Sequence, residues 1–195
     1  MALMMAIGSL GKAGRLAQLR TFARCQVWSG YRSDSEIRAE VYDAALAEER
    51  DRDAAAAMSE ELVSSAQREL AESSPGWPSP TGFERLQRAF TELRGQGVAV
   101  LEAVDDHWAA AEELERRTAA GSDPRGIAYF THPDVWHAVE HGMLEINLWH
   151  GGSANVAPGD SLLDEVLEAL TAQGIPAVFD EGRIEASVVW QRRGE

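Results

Sequence analysis

The chain has 195 residues, the length of one domain or of a domain with a short extension. It carries 18 basic and 32 acidic residues, a formal net charge of -14, which argues against binding to nucleic acid or to anionic membranes. Hydrophobic residues make up 45% and charged residues 26%, so a core can form, and collagen, a disulfide scaffold and a wholly disordered chain are excluded.

The first segment, residues 1–24, contains four basic residues and no acid. Its apolar residues precede its basic ones, the reverse of a secretory signal. We predict a poorly ordered basic leader here, with a basic surface helix as the alternative, followed by a single α/β domain over residues 25–193. The lone Cys25 cannot form an internal disulfide, and no apolar run is long enough to cross a bilayer. The sequence therefore predicts a cytoplasmic protein.

A helical section is predicted over about residues 33–95. Ahead of it, residues 26–29 read as a short strand ending at Gly30. The capping box Ser33–Glu36 opens a first helix, and apolar residues four apart from Met58 onwards predict a second.

The clearest break in the chain is the proline- and glycine-rich stretch 73–82, because proline restricts the residues before it to extended conformations. We expect Trp77, which lies between the prolines, to anchor this loop to the body of the protein, with an exposed anchor for a partner as the alternative. The capping box Thr81–Glu84 then opens a third helix, which Gly95 and Gly97 end.

From about residue 97 to residue 190 the predicted order is strand, helix, strand, helix, strand, helix, strand, strand. The strands are predicted at residues 98–101, 126–130, 144–149, 176–179 and 183–190. This alternation predicts an α/β (mixed α+β) fold, with a sheet of about five strands and packed helices, preceded by the N-terminal helical section.

Several short motifs are spread along the chain: Trp77-Pro78, Arg85-Leu86, Ala89-Phe90 and Tyr129-Phe130-Thr131-His132-x-Asp134-x4-Val139. With these motifs the chain, from Gln26 to its terminal strand, resembles a bacterial family of domains of unknown function found mainly in actinobacteria. The chain departs from the family pattern after Val100, where a glycine-rich stretch is expected and Glu102–His107 stands instead. The resemblance supports the predicted fold and the cytoplasmic location and implies no activity.

The marked excess of arginine over lysine, 17 against one, is typical of a GC-rich bacterial genome.

The strongest candidate site is a cluster of histidines. Asp134, His137 and His141 lie three and four residues apart on one face of a predicted short helix. Two imidazoles and a carboxylate can bind Zn²⁺ or Fe²⁺, with His132 or His150 as a further ligand. The same residues have a structural interpretation, which we prefer: Asp134 completes a capping box with Thr131, and His141 suits a helix C-terminus. Acid–base catalysis by a histidine without metal is a third interpretation.

Other candidates are weaker. His107 follows Asp105 and Asp106, but neighbours along a helix do not face each other. Trp149 lies on the polar side of its strand, where it either packs under a helix or lines an aromatic patch. The sequence contains no nucleophile elbow and no phosphate-binding loop.

We therefore predict a non-enzymatic binding or regulatory module with no cofactor, whose partner is a protein or a small molecule. The alternative is a small metal-dependent hydrolase that uses the cluster at residues 132–141, with Zn or Fe as its metal. A homo-oligomer built through the helices of residues 34–73 is a third hypothesis.

Overall fold

The computed structural model of the chain describes residues 11–49 and 51–194. Contacts divide the chain into two compact units. The helical unit comprises the described residues up to Trp77, together with Arg193 and Gly194, and the sheet unit runs from Pro78 to Arg192. None of the described helices is both long and apolar enough to cross a membrane.

Within its described residues, the helical unit contains three α-helices, α1 (Lys12–Ser29), α2 (Asp34–Glu48) and α3 (Arg52–Ser73), and a short 3-10 helix, Ser74–Gly76. The predicted capping box is present: Ser33 accepts the backbone N–H of Glu36, and the Glu36 carboxylate accepts the backbone N–H of Ser33. Apolar residues at helical spacing on all three helices form one core. Its buried members are Leu19, Ala23, Val27, Ile37, Val41, Leu62, Val63 and Ala66.

Helix α1 differs from the prediction at both of its ends. The strand predicted at residues 26–29 is wrong, because these residues form the last turn of α1. Leu19, Ala23 and Val27 are four apart and bury one helical face, which a strand of four residues would not do. Gly30, with φ of 73°, then ends the helix in the left-handed conformation. Residues 12–24 of the predicted leader are helical as well, whereas residues 1–10 lie outside the described residues.

Trp77 packs against Trp28 of α1, with ring centroids 6.0 Å apart. The Trp28 indole in turn donates a hydrogen bond to the Ala66 carbonyl oxygen of α3 at 3.2 Å. These contacts confirm the prediction that Trp77 anchors the proline-rich loop, here to the helical unit.

The sheet unit contains four α-helices and five strands. They are α4 (Gly82–Gly95), β1 (Val98–Val104), α5 (His107–Ala119), β2 (Gly126–Thr131), α6 (His132–His141), β3 (Met143–His150), α7 (Ser161–Ala172), β4 (Ala177–Asp180) and β5 (Arg183–Ser187). The strand order is β1-β2-β3-β5-β4, with β1 and β2 parallel and the other neighbours antiparallel. The predicted mixed α+β fold, with five strands after a helical section, is confirmed.

The two faces of the sheet are covered differently. On one face, Phe130 of β2 stacks on Phe90 of α4, so α4 belongs with the sheet and not with the helices that precede it. On the other face, Leu114 of α5 packs into a core with Ile127 of β2. Helix α5 covers β1 and β2, and beyond it the polar side chains of β3 and β5 lie on the same face.

The start of α4 gives a first test of the fold. Thr81 is fully buried, its hydroxyl accepts the backbone N–H of Glu84 at 3.1 Å, and its own N–H donates to the Glu84 carboxylate at 2.8 Å. We expect Thr81→Ala to lower the free energy of unfolding by about 2 kcal/mol, the upper end for a lost N-cap, because the orphaned N–H is buried. Urea denaturation measures this change.

The controls for that measurement are Thr81→Ser and Thr91→Ala. Thr81→Ser keeps the capping hydroxyl and should retain most of the stability. Thr91 is exposed in the interior of the same helix, and its loss should change stability by less than about 0.5 kcal/mol. Equal losses at positions 81 and 91 would contradict the capping argument.

Candidate functional site

A cleft of about 460 Å³ opens at the carboxyl ends of the two parallel strands. Val104 at the end of β1 is in register with Thr131 at the end of β2. Because both strands run in the same direction, the turns into α5 and α6 begin at this edge of the sheet. The carboxyl edge is where α/β sheets commonly bind ligands.

The rim of the cleft carries three carboxylates from these turns. Asp106 caps α5, and its Oδ1 accepts the backbone N–H groups of Trp108 at 2.9 Å and Ala109 at 3.3 Å. Thr131 is the N-cap of α6, and the Oδ2 atom of Asp134, in the first turn of that helix, accepts the backbone N–H and the hydroxyl of Thr131, both at 2.7 Å. Asp105 extends into solvent, with 88% of its side chain exposed. Two of the three carboxylates are therefore held in place by helix starts, and the third, Asp105, lies 4.0 Å from the His132 Nε2 atom.

Beside α5, the cleft is lined by side chains from β2, β3 and β5. Tyr129 and Asn147 are directly paired across β2 and β3, so their side chains lie on the same face. The Trp149 ring meets the Tyr129 ring edge to face, with centroids 4.9 Å apart. Arg183, at the start of β5, forms an ion pair with Glu145 of β3. The site thus combines two aromatic rings, an amide and a neutralised guanidinium.

Two groups in the cleft have shifted proton affinities. Burial, reinforced by the charge of Asp134, raises the pKa of the Tyr129 hydroxyl to about 12, so this hydroxyl is neutral at physiological pH. Burial also raises the pKa of Asp134, against the opposing effect of its hydrogen bonds from Thr131, and the charge of Glu145 raises it further. Both shifts indicate a partly desolvated site whose nearest charges are mainly negative.

The strand that leads into the cleft is irregular. Ala103 is buried and has φ of 51°, a left-handed conformation that costs a residue with a side chain about 1–2 kcal/mol. The pairing of β1 with β2 shifts register at the same point, between Leu101 and Val104. The left-handed residue thus lies just before the turn into α5. Glycine would adopt this backbone without strain.

The structure separates most of the residues of the predicted metal site. Asp134 turns towards Thr131, while His137 and His141 pack against each other with ring centroids 4.8 Å apart. The His132 Nε2 atom lies 4.0 Å from the Asp105 Oδ1 atom. His150, at the far end of β3, contacts the Asp160 carboxylate at 3.0 Å.

No group of three or more His, Cys, Asp or Glu side chains in the described part of the chain is arranged to hold a metal ion. The capping box of α6 accounts for the position of Asp134, as the structural interpretation expects.

Several residues of the cleft were already candidates in the sequence. Asp134 was a candidate metal ligand, Trp149 a candidate for an aromatic patch, and Asp105 and Asp106 were considered as neighbours of His107. Tyr129, as a site residue, and Asn147 were missed. Alternation along β3 places Asn147 on the polar side next to Trp149, which was the available signal.

Arg183 and Asn155 were also missed as residues of the cleft. Arg183 opens the last strand, and Asn155 reaches the cleft because the loop after β3 folds back and forms a bridge with Trp149. Neither position carries a local signal for a binding site.

No curated protein and no solved structure matches the chain significantly. A family model described as a domain of unknown function, DUF6891, matches residues 12–194, which is nearly the whole chain and includes every residue of the cleft. The chain therefore belongs to the DUF6891 family.

Proposed function

We propose that the sheet unit is a binding module that holds a small polar organic molecule in the cleft at the carboxyl ends of β1 and β2. Tyr129 is the observation that carries this proposal. Its side chain is 3% exposed and lines the cleft, and no described residue forms a hydrogen bond with its hydroxyl. The hydroxyl is open to the cleft, so a ligand that enters the cleft would supply a hydrogen-bond partner for it.

The remaining lining suits such a ligand. The side-chain amides of Asn147 and Asn155 form no hydrogen bonds with described residues and can donate or accept. Trp149 adds an apolar ring beside them. The volume of the cleft lies within the range of about 300–1,000 Å³ typical of sites for small molecules. We propose binding rather than metal-dependent hydrolysis, because the Asp134 carboxylate is bonded to Thr131 and His150 to Asp160, and no described group of three or more such side chains is arranged to hold a metal ion.

Two-dimensional NMR of the full chain tests this proposal. The signals to follow are the side-chain amides of Asn147 and Asn155 and the Trp149 indole. The probes are L-arginine, L-glutamine and L-glutamate, which share a backbone and differ in side-chain charge, each added to millimolar concentration. We expect at least one probe to shift all three signals in a saturable way, and Tyr129→Phe to weaken that binding about ten-fold, since a lost hydrogen bond in a buried site is worth about 1–2 kcal/mol.

The control variant is Tyr42→Phe, which removes a hydroxyl from α2 in the helical unit and should leave binding unchanged. Failure of all three probes to shift these signals would overturn the proposal. Equal effects of Tyr129→Phe and Tyr42→Phe would also overturn it.

We further propose a bacterial, cytoplasmic setting for this module. The excess of arginine over lysine and the single cysteine support this setting.

A further inference from the structure

The cleft has a strongly unbalanced charge. Three carboxylates line it, and a fourth, from Glu145, is bonded to Arg183, the only arginine in the lining. Four carboxylates against one guanidinium leave a formal charge of -3, with His107 counted as neutral. The whole chain, at -14, adds to this field.

The positive groups of the cleft are already matched. The N-termini of α5 and α6 each contribute about half a positive charge, and each already has a carboxylate beside it: Asp106 caps α5, and Asp134 lies in the first turn of α6. The Arg183 guanidinium is paired with Glu145. An anionic ligand would therefore have to displace an existing carboxylate, whereas a cation would meet carboxylate oxygens that still have lone pairs available.

The lining also suits a cation in its shape and chemistry. Trp149 and Tyr129 present two aromatic rings, and the faces of such rings attract ammonium and guanidinium groups. Independently of the acidic rim, Tyr129 is 3% exposed and lines the cleft, and its hydroxyl has no hydrogen-bond partner among the described residues and can accept from an N–H group.

We infer that the ligand of this cleft is a small organic molecule of net positive charge, whose guanidinium or side-chain ammonium group lies between the Asp105 and Asp134 carboxylates and the Trp149 ring. This inference rests on the proposed binding function and specifies its ligand class.

The experiment compares L-arginine with L-glutamine and L-glutamate by titration calorimetry on the full chain. Arginine should bind at least ten-fold more tightly than either of the others, and its Kd should rise with added NaCl because the attraction is between exposed charges. In Asp105→Asn the Kd for arginine should rise about five-fold, as expected for the loss of one exposed charge about 4 Å from the ligand in water. Asp105 is suitable because it does not cap a helix, so its replacement leaves the start of α5 intact.

Asp123→Asn is the matched control. It makes the same change of charge within the sheet unit, at an exposed position before the amino end of β2, and should leave the Kd unchanged.

Two further probes separate the sources of the cation. Agmatine represents a free small molecule and N-acetyl-arginine amide represents the side chain of a peptide, and tighter binding of either supports the cation and identifies its source.

The outcomes distinguish the two levels of the proposal. Binding of glutamine or glutamate as tight as that of arginine would overturn the inference that the ligand is a cation, while leaving the proposed binding function in place. Equal Kd values for Asp105→Asn and Asp123→Asn would also overturn that inference. If none of the probes binds, both the module and its ligand class fail.

Discussion

Phe130→Ala is expected to lower the free energy of unfolding of the sheet unit by about 3–5 kcal/mol, the usual loss for truncating a fully buried phenylalanine. Phe130 is 0% exposed, and its ring lies 6.0 Å from Phe90 of α4 and 6.4 Å from Trp190, measured between centroids. Its removal leaves a cavity between β2, α4 and the C-terminal segment. The surrounding backbone is fixed by the sheet ladder, so the cavity cannot close by a small shift.

Urea denaturation followed through the NMR signals of the sheet measures this loss. Val178→Ala on β4 is the control, since Val178 is 58% exposed and its truncation should change stability by less than about 0.5 kcal/mol. A loss of under about 1 kcal/mol for Phe130→Ala would show that Phe130 does not occupy the centre of this core.

Gly126→Ala is the second large effect, with an expected loss of about 3 kcal/mol from overpacking. A Cβ atom on Gly126 would lie 2.5 Å from the Trp149 carbonyl oxygen and 2.6 Å from the Leu162 Cδ2 atom. The first of these atoms belongs to the backbone of the paired strand β3, which cannot move without breaking the ladder. The second belongs to a buried side chain of α7.

Gly152→Ala is the matched control for this second variant, because a Cβ there meets nothing within 4 Å. Thermal unfolding of the two variants side by side should show a clear drop in Tm for position 126 and little change for position 152. The packing of α7 on β2 would be contradicted if both variants unfolded at the temperature of the parent protein.

The contacts on which these predictions depend join residues that are far apart along the chain. Other features of the fold depend on residues close together in the sequence and could be predicted without a structure. The boundaries of α2, α4 and α6 could be predicted because their capping boxes lie within four residues, so the sequence carries the whole interaction. The strand β3 could be predicted because Leu144, Ile146 and Leu148 alternate with polar residues.

The predicted strand at residues 26–29 failed because a four-residue window hides the longer helical spacing that includes Leu19 and Ala23. Here the burial of the helix face in a three-helix core decided the conformation. One residue of the predicted metal site, Asp134, also has a local structural role. Asp134 satisfies the start of α6, and this short-range interaction keeps its carboxylate turned to Thr131.

Local patterns in the amino-acid sequence were enough to predict the helices that open with capping boxes, the half-buried strand β3, and the carboxylates at the starts of α5 and α6. Which of those groups share a cleft follows from the tertiary fold alone. The order β1-β2-β3-β5-β4 brings Arg183 beside β3, and the register of β2 with β3 sets Tyr129 opposite Asn147. Strand order and register depend on the packing of segments far apart along the chain, for which single residues carry no local signal.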